Sequence, residues 1–279
     1  MKQLLLFTFL CFSIQGMGQT KNVLFIGNSF TLNFQMPKKL ERIAKREGQS
    51  LYTAQVTEGG KDWSYHAKNP KTYEMIKAEP WDYVVLQALS YEPLKAEHIL
   101  TETTIKYGQM MIDSVRRHHP NAKIMLYMTW GYKDGIYVDY ESKAIEYEGM
   151  QERLQIQYNR FSELYKVAVA PIGKVWANTR EQYPQFNLYA EDDYHQSELG
   201  SFLIASTFYS MIFNRPIQDF SRLPYKNIEE IDARFITTIV SDIVLHPKMD
   251  WGRKYWIQDN TDSTILKALK RVTGFFYDM

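Results

Sequence analysis

The sequence predicts an α/β fold, a three-layer α/β/α sandwich around a mostly five-stranded parallel sheet. Three observations carry it. Five short runs rich in β-branched and aromatic residues recur along the chain. Longer stretches with helical periodicity separate most of them. The first run, Val23 to Ile26, is apolar throughout, as expected of a strand covered on both faces of a parallel sheet.

The expected strands are Val23 to Ile26, Leu51 to Val56, Tyr83 to Gln87, Ile124 to Met128 and Val167 to Ile172. The expected helices are Pro37 to Glu47, Thr101 to His118, Tyr147 to Tyr165 and Glu198 to Phe213. After Pro216 the pattern changes to one further helix, about Ile228 to Leu245, and then an aromatic-rich tail, Trp251 to Met279. The stretch 216–279 has too little apolar material to fold alone, so it is expected to pack as an extension on one domain spanning 19–279.

Residues 1–18 have the layout of a secretory signal: Met1-Lys2, an apolar stretch from Leu4 to Ile14, and the small residues Gly16 and Gly18. The apolar part is too short to span a bilayer. Cys11, the only cysteine, lies inside it, and Thr8-Phe9-Leu10 before it lacks the small residue of a lipid-attachment box. The expectation is an exported bacterial protein, periplasmic or secreted and not lipid-anchored, with no membrane segment after cleavage. The mature chain then has no thiol, which excludes cysteine catalysis and cysteine-ligated metal.

The chain carries 33 Lys+Arg against 32 Asp+Glu, so no global field favours nucleic acid or an anionic membrane. Among its aromatics are 20 Tyr and 6 Trp, material for a core but also for stacking sugar rings in a surface groove. No His/Asp/Glu cluster has convincing metal-ligand spacing, and no P-loop glycine cradle is present.

The first strand stops at Gly27-Asn28-Ser29, which puts Ser29 at its carboxyl end, the edge where open α/β sheets bind ligands. Ser29 there is either a helix cap or a nucleophile activated beside a helix start. Among the six histidines, His195 differs in lying in a polar turn, Asp192-Asp193-Tyr194-His195, before a helix that Ser197 can cap. An aspartate three residues before a histidine can hold Nδ1 and leave Nε2 free as a base; an ordinary acidic surface loop is the alternative. His66, after Trp63-Ser64-Tyr65, reads as a packing or surface residue.

The serine at the first strand's end and the late Asp-x-x-His together resemble the SGNH, or GDSL-like, hydrolases, whose sheet is flavodoxin-like. Gly27-Asn28-Ser29-Phe30-Thr31 stands for the Gly-Asp-Ser-Leu block, and Gly59-Gly60 follows the second strand, where the family has an oxyanion-hole glycine. The third block departs from the commonest form. Gln87-Ala88-Leu89-Ser90 follows the third strand where the family usually has Gly-x-Asn-Asp, and a bacterial subset of SGNH-like proteins is similar in this respect. The resemblance spans about Asn22 to Phe213.

It implies a serine esterase with Ser29 as nucleophile, His195 as base and Asp192 as orienting acid. The implied oxyanion hole is made by the N–H groups of Ser29 and Gly60 and the amide of Gln87. Asn28 and Tyr194 are candidate substrate contacts, and Trp130, which follows the fourth strand at the same sheet edge, is either core or a wall against a sugar or acyl group. No cofactor or metal is needed, and the expected substrate is a short acyl ester, acetyl above all, on a carbohydrate. A non-catalytic glycan-binding module on the same fold, or a flavodoxin-like nucleotide binder, is the alternative.

Overall fold

The computed structural model describes residues 19–256. The signal-like segment with Cys11, the proposed cleavage point at Gly18 and the end of the aromatic tail lie outside the described residues.

Seven strands and ten α-helices alternate through this span. In order they are β1 (Lys21–Gly27), α1 (Ser29–Leu32), α2 (Met36–Arg46), β2 (Leu51–Thr57), α3 (Trp63–Lys68), α4 (Pro70–Ala78) and β3 (Tyr83–Leu86). There follow α5 (Glu97–Leu100), α6 (Lys106–His118), β4 (Lys123–Tyr127), β5 (Ile136–Val138), β6 (Lys143–Ile145) and α7 (Tyr147–Tyr165). The series closes with β7 (Ala168–Ala170), α8 (Ile172–Gln182), α9 (Glu198–Phe213) and α10 (Glu230–Val244).

Five strands form one parallel sheet in the order β2-β1-β3-β4-β7. The chain passes from β1 outward to β2 and then crosses back to β3 on β1's other side. The strand order therefore reverses between β1 and β3, and the crevice at their carboxyl ends is where such sheets bind ligands.

Two apolar cores flank the sheet. Val23, Phe25, Val85, Met125 and Tyr127 pack on one face with residues of α2, α8, α9 and α10. Leu24, Ile26, Val84, Leu86 and Leu126 pack on the other with residues of α3, α6 and α7. Alternate residues of one strand thus enter opposite cores, which is why these strands read as unbroken apolar runs. Among the described residues no helix is long and apolar enough to cross a membrane, and no group of three or more His, Asp or Glu is arranged to hold a metal ion.

The helices over 147–165 and 198–213 have the predicted bounds. The predicted helix over 101–118 instead starts as α5 and passes through a π-helical turn, Thr101–Ile105, into α6. Three helices, α3, α4 and α8, escaped the sequence reading: α3 and α4 are short and meet at Asn69, and α8 begins inside the predicted fifth strand. The β5/β6 hairpin was also missed, because three-residue strands carry too little pattern. Past Pro216, α10 joins the core under α9, and Trp251 O accepts the N–H of Val169 at 2.9 Å beside the edge strand β7.

Candidate active site

The turn after β1 carries Ser29. Asn28 is extended (φ −129°) and caps α1, its Oδ1 accepting the N–H of Phe30 at 3.2 Å. Ser29 is thus the first helical residue, and its own N–H has no acceptor among the described residues. Gly27 has no room for a side chain, since a Cβ there would meet Gln87 Oε1 at 2.5 Å.

The Asp192–His195 turn is shaped by its own hydrogen bonds. Asp192 Oδ1 accepts the N–H groups of Tyr194 (3.2 Å) and His195 (2.9 Å), while Oδ2 accepts Nδ1–H of His195 at 2.6 Å. That tautomer leaves Nε2 as an acceptor, 2.7 Å from Ser29 Oγ. Burial pushes the Asp192 carboxyl up, but the hydrogen bonds from the His195 ring and from the two backbone N–H groups outweigh it and hold its pKa below the ordinary value.

Three contacts aim this turn at Ser29. Gln196 Nε2 donates to Phe30 O (3.0 Å), Lys133 Nζ pairs with Asp193 (2.7 Å), and Trp130 Nε1 donates to Tyr194 O (3.0 Å). Ser29 and His195, 166 residues apart in sequence, are therefore held together from both sides.

The loop after β2 reaches the same place. The N–H of Glu58 donates to Gly27 O at 3.2 Å, and Asn28 Nδ2 donates to Lys61 O at 3.1 Å. Gly60 lies between these ties with φ +68°, a conformation that suits glycine, and its N–H also has no acceptor among the described residues. Free backbone N–H groups can receive a developing oxyanion where they face the reacting atom.

Two expectations, for Gln87 and Asn28, need correction. Gln87 is fully buried and does not face the site: Oε1 accepts the N–H of Asn28 (2.8 Å) and the Thr31 hydroxyl (3.0 Å), while Nε2 donates to Asn28 Oδ1 (2.8 Å) and Ala88 O (2.5 Å). The backbone N–H of Asn28 can only donate, which fixes the amide's orientation. Gln87 has no N–H left for a substrate and acts as a brace for the turn that carries Ser29. Asn28 is likewise buried, with its amide tied to Phe30, Gln87 and Lys61, so it supports Ser29 and does not touch substrate.

Of the two readings of Trp130 the structure takes the core, since the ring is 0 % exposed. Its ring stacks between Phe30 (centroids 4.5 Å) and Trp176 (4.2 Å), forming a floor under Ser29 and His195. Tyr194 does stand at the mouth, 38 % exposed, with its ring 4.2 Å from that of His195. His66 is buried, and burial pushes its pKa down against the pull of the Gly27 backbone, Asp62 and Glu58.

Sequence reasoning missed Glu92. It is buried beneath the loops after β2 and β3, accepting the N–H groups of Trp63 (3.3 Å) and Leu89 (3.1 Å) and the Thr104 hydroxyl (2.9 Å). Burial raises its pKa above the ordinary value, against the pull of Lys95 and the Thr104 and Leu89 donors. A lone glutamate in a loop gives no sequence signal of burial. The Ser90 and Tyr132 hydroxyls, 2.5 Å apart, join the loop after β3 to the one after β4.

No family profile matches the chain. No curated protein matches it either. Solved structures do. A DUF4886 family protein from Bacteroides uniformis superposes with a TM-score of 0.67 at 18 % identity, over 83 % of this chain and 98 % of that one. A proposed SGNH hydrolase from Slackia heliotrinireducens gives a TM-score of 0.55 at 23 % identity, over 69 % and 99 %. A carbohydrate esterase family 3 structure from Talaromyces cellulolyticus gives 0.52 at 13 %, over 70 % and 97 %. At these identities the likeness is one of fold, and the fold is that of the SGNH hydrolases.

Proposed function

We propose that the chain is an exported serine esterase that removes short acyl groups, acetyl above all, from carbohydrate. The observation that carries this reading is the continuous relay from Ser29 Oγ through His195 to Asp192, with steps of 2.7 and 2.6 Å, at the point where the strand order reverses. Export rests on the signal-like residues 1–18. The carbohydrate rests on fold analogy with the Talaromyces esterase and on the aromatic mouth.

In this mechanism His195 Nε2 takes the hydroxyl proton as Ser29 Oγ bonds to the ester carbonyl carbon, and Asp192 stabilises the imidazolium. The N–H groups of Ser29 and Gly60 receive the oxyanion. On collapse the C–O bond to the alcohol breaks and His195 gives the alcohol its proton. Water, deprotonated by His195, then attacks the acyl-enzyme and releases the carboxylic acid and free Ser29.

The test compares wild type with Ser29→Ala on p-nitrophenyl acetate and on acetylated oligosaccharides, with fluorophosphonate labelling alongside. Wild type should hydrolyse both and take label on Ser29, and the variant should do neither. Equal activity in the two proteins, or no label on Ser29, would overturn the proposal.

A further inference from the structure

A groove of about 270 Å³ lies between the loop after β3 and the β5/β6 hairpin. Tyr91, Leu94 and Ile99 line one side and Ile136, Tyr137 and Tyr140 the other. Its three tyrosines are 42 %, 57 % and 54 % exposed, unusual for rings of this size outside an interaction surface. Lys95 and Asp139 place a charge of each sign on its lining.

A chain of contacts leads from the candidate active site toward the groove. The His195 ring lies tilted against that of Tyr194, whose ring in turn lies 5.4 Å from that of Tyr132. Tyr132 meets Ser90, the neighbour of Tyr91, and its carbonyl accepts the N–H of Gly135, which leads into β5. Two ring contacts, one hydroxyl pair and one step along the chain therefore lead from His195 to Tyr91 on the groove's wall.

Its walls are held in place before any ligand arrives. Arg153 of α7 clamps Glu141 at the hairpin's tip (2.6 and 3.0 Å), and Arg160 of the same helix clamps Glu97 of α5 (2.7 and 2.6 Å). Both pairs are two-pronged, so hairpin and loop are fixed to one helix and to each other. A preformed groove loses less ordering entropy on binding.

The geometry points to a distal subsite for the sugar chain of the substrate, which makes the preferred ester an acetylated oligosaccharide and not a small acetylated molecule. Half-exposed tyrosines offer an apolar face to the C–H side of a pyranose and a hydroxyl to its rim, and Lys95 and Asp139 supply hydrogen bonds to neutral hydroxyl groups. A short acyl group bonded to Ser29 cannot reach past Tyr194 and Tyr132, so the groove belongs to the alcohol side. This inference rests on the esterase reading above for its link to catalysis.

The test uses Tyr91→Ala, Tyr137→Ala and the double variant in the full chain, assayed on p-nitrophenyl acetate, p-nitrophenyl octanoate, an acetylated monosaccharide and a panel of acetylated tetrasaccharides. Wild type should prefer the tetrasaccharides over the monosaccharide. The double variant should raise their KM tenfold or more while leaving kcat and p-nitrophenyl acetate hydrolysis unchanged. Unaltered tetrasaccharide kinetics would overturn the subsite, and a loss confined to the octanoate would make the groove an acyl channel. Calorimetric titration of wild type with deacetylated tetrasaccharides separates the two proposals. Binding that the double variant loses would uphold the groove even in a protein inactive on every ester, whereas ester hydrolysis without such binding would leave only the esterase standing.

Discussion

Gln87 Oε1 accepts the backbone N–H of Asn28 at 2.8 Å, so the residue before Ser29 is held by a side chain from the neighbouring strand's end. Gln87→Ala would strand the Asn28 N–H and the Thr31 hydroxyl in a buried space and would remove one of the two donors to Asn28 Oδ1. It is expected to cost about 3 kcal/mol or more, a fall of roughly 6–12 °C in Tm for a chain of this size. The kcat for ester hydrolysis by the folded protein should fall less than about tenfold. A fall of about 100-fold or more with Tm unchanged is what removal of an oxyanion donor produces, and it would return Gln87 to the oxyanion hole.

Asp192→Asn should leave the fold intact, because the residue sits in a partly exposed turn. The asparagine can still accept the turn's N–H groups yet no longer favours the Nδ1–H tautomer or the imidazolium. We expect kcat/KM on p-nitrophenyl acetate to drop by about 10³–10⁴ with an unchanged circular dichroism spectrum.

Trp130→Ala removes the middle ring of the Phe30–Trp130–Trp176 stack together with the hydrogen bond to Tyr194 O. It should cost about 3–5 kcal/mol, read by urea denaturation. Tyr194→Ala, at the exposed mouth, should leave stability within about 0.5 kcal/mol and act on KM. The reverse pattern would restore Trp130 as a substrate wall.

Glu92 gives a pH signature. Its pKa is raised in the folded chain from the ordinary value of 4.5, so the folded state holds this proton more tightly than the unfolded state. The stability it contributes is complete below about 4.5 and is lost as pH rises through the raised value. Melting curves of wild type and Glu92→Gln from pH 5 to 8 should therefore converge or cross, with wild type falling relative to the variant as pH rises. Parallel curves would show that Glu92 ionises as an ordinary carboxylate.

Local pattern made much of this molecule legible. The sheet's inner strands were readable because they are covered on both faces, leaving apolar runs such as Val23 to Ile26. Helices α7 and α9 were readable because they are long, and length accumulates signal over chance. Helices α3 and α4, at six and nine residues, offer too few turns for a periodicity to stand out. Ser29, Asp192 and His195 could be singled out because the first stands where a strand breaks and the other two share one turn, so each signal is local.

What the sequence by itself determined is the layered fold and the identity of the groups that can do chemistry, since both follow from short-range spacing and residue type. Which way a polar side chain points was decided only by the tertiary structure. Gln87 carries the same amide whether it faces a substrate or braces a turn, and the choice was made by the Asn28 N–H, 59 positions away in sequence, which needs an acceptor once buried. The same holds for Trp130, whose partners Phe30 and Trp176 arrive from other strands' ends. Burial and hydrogen-bond satisfaction are properties of neighbours brought together by folding, and no local window of sequence contains them.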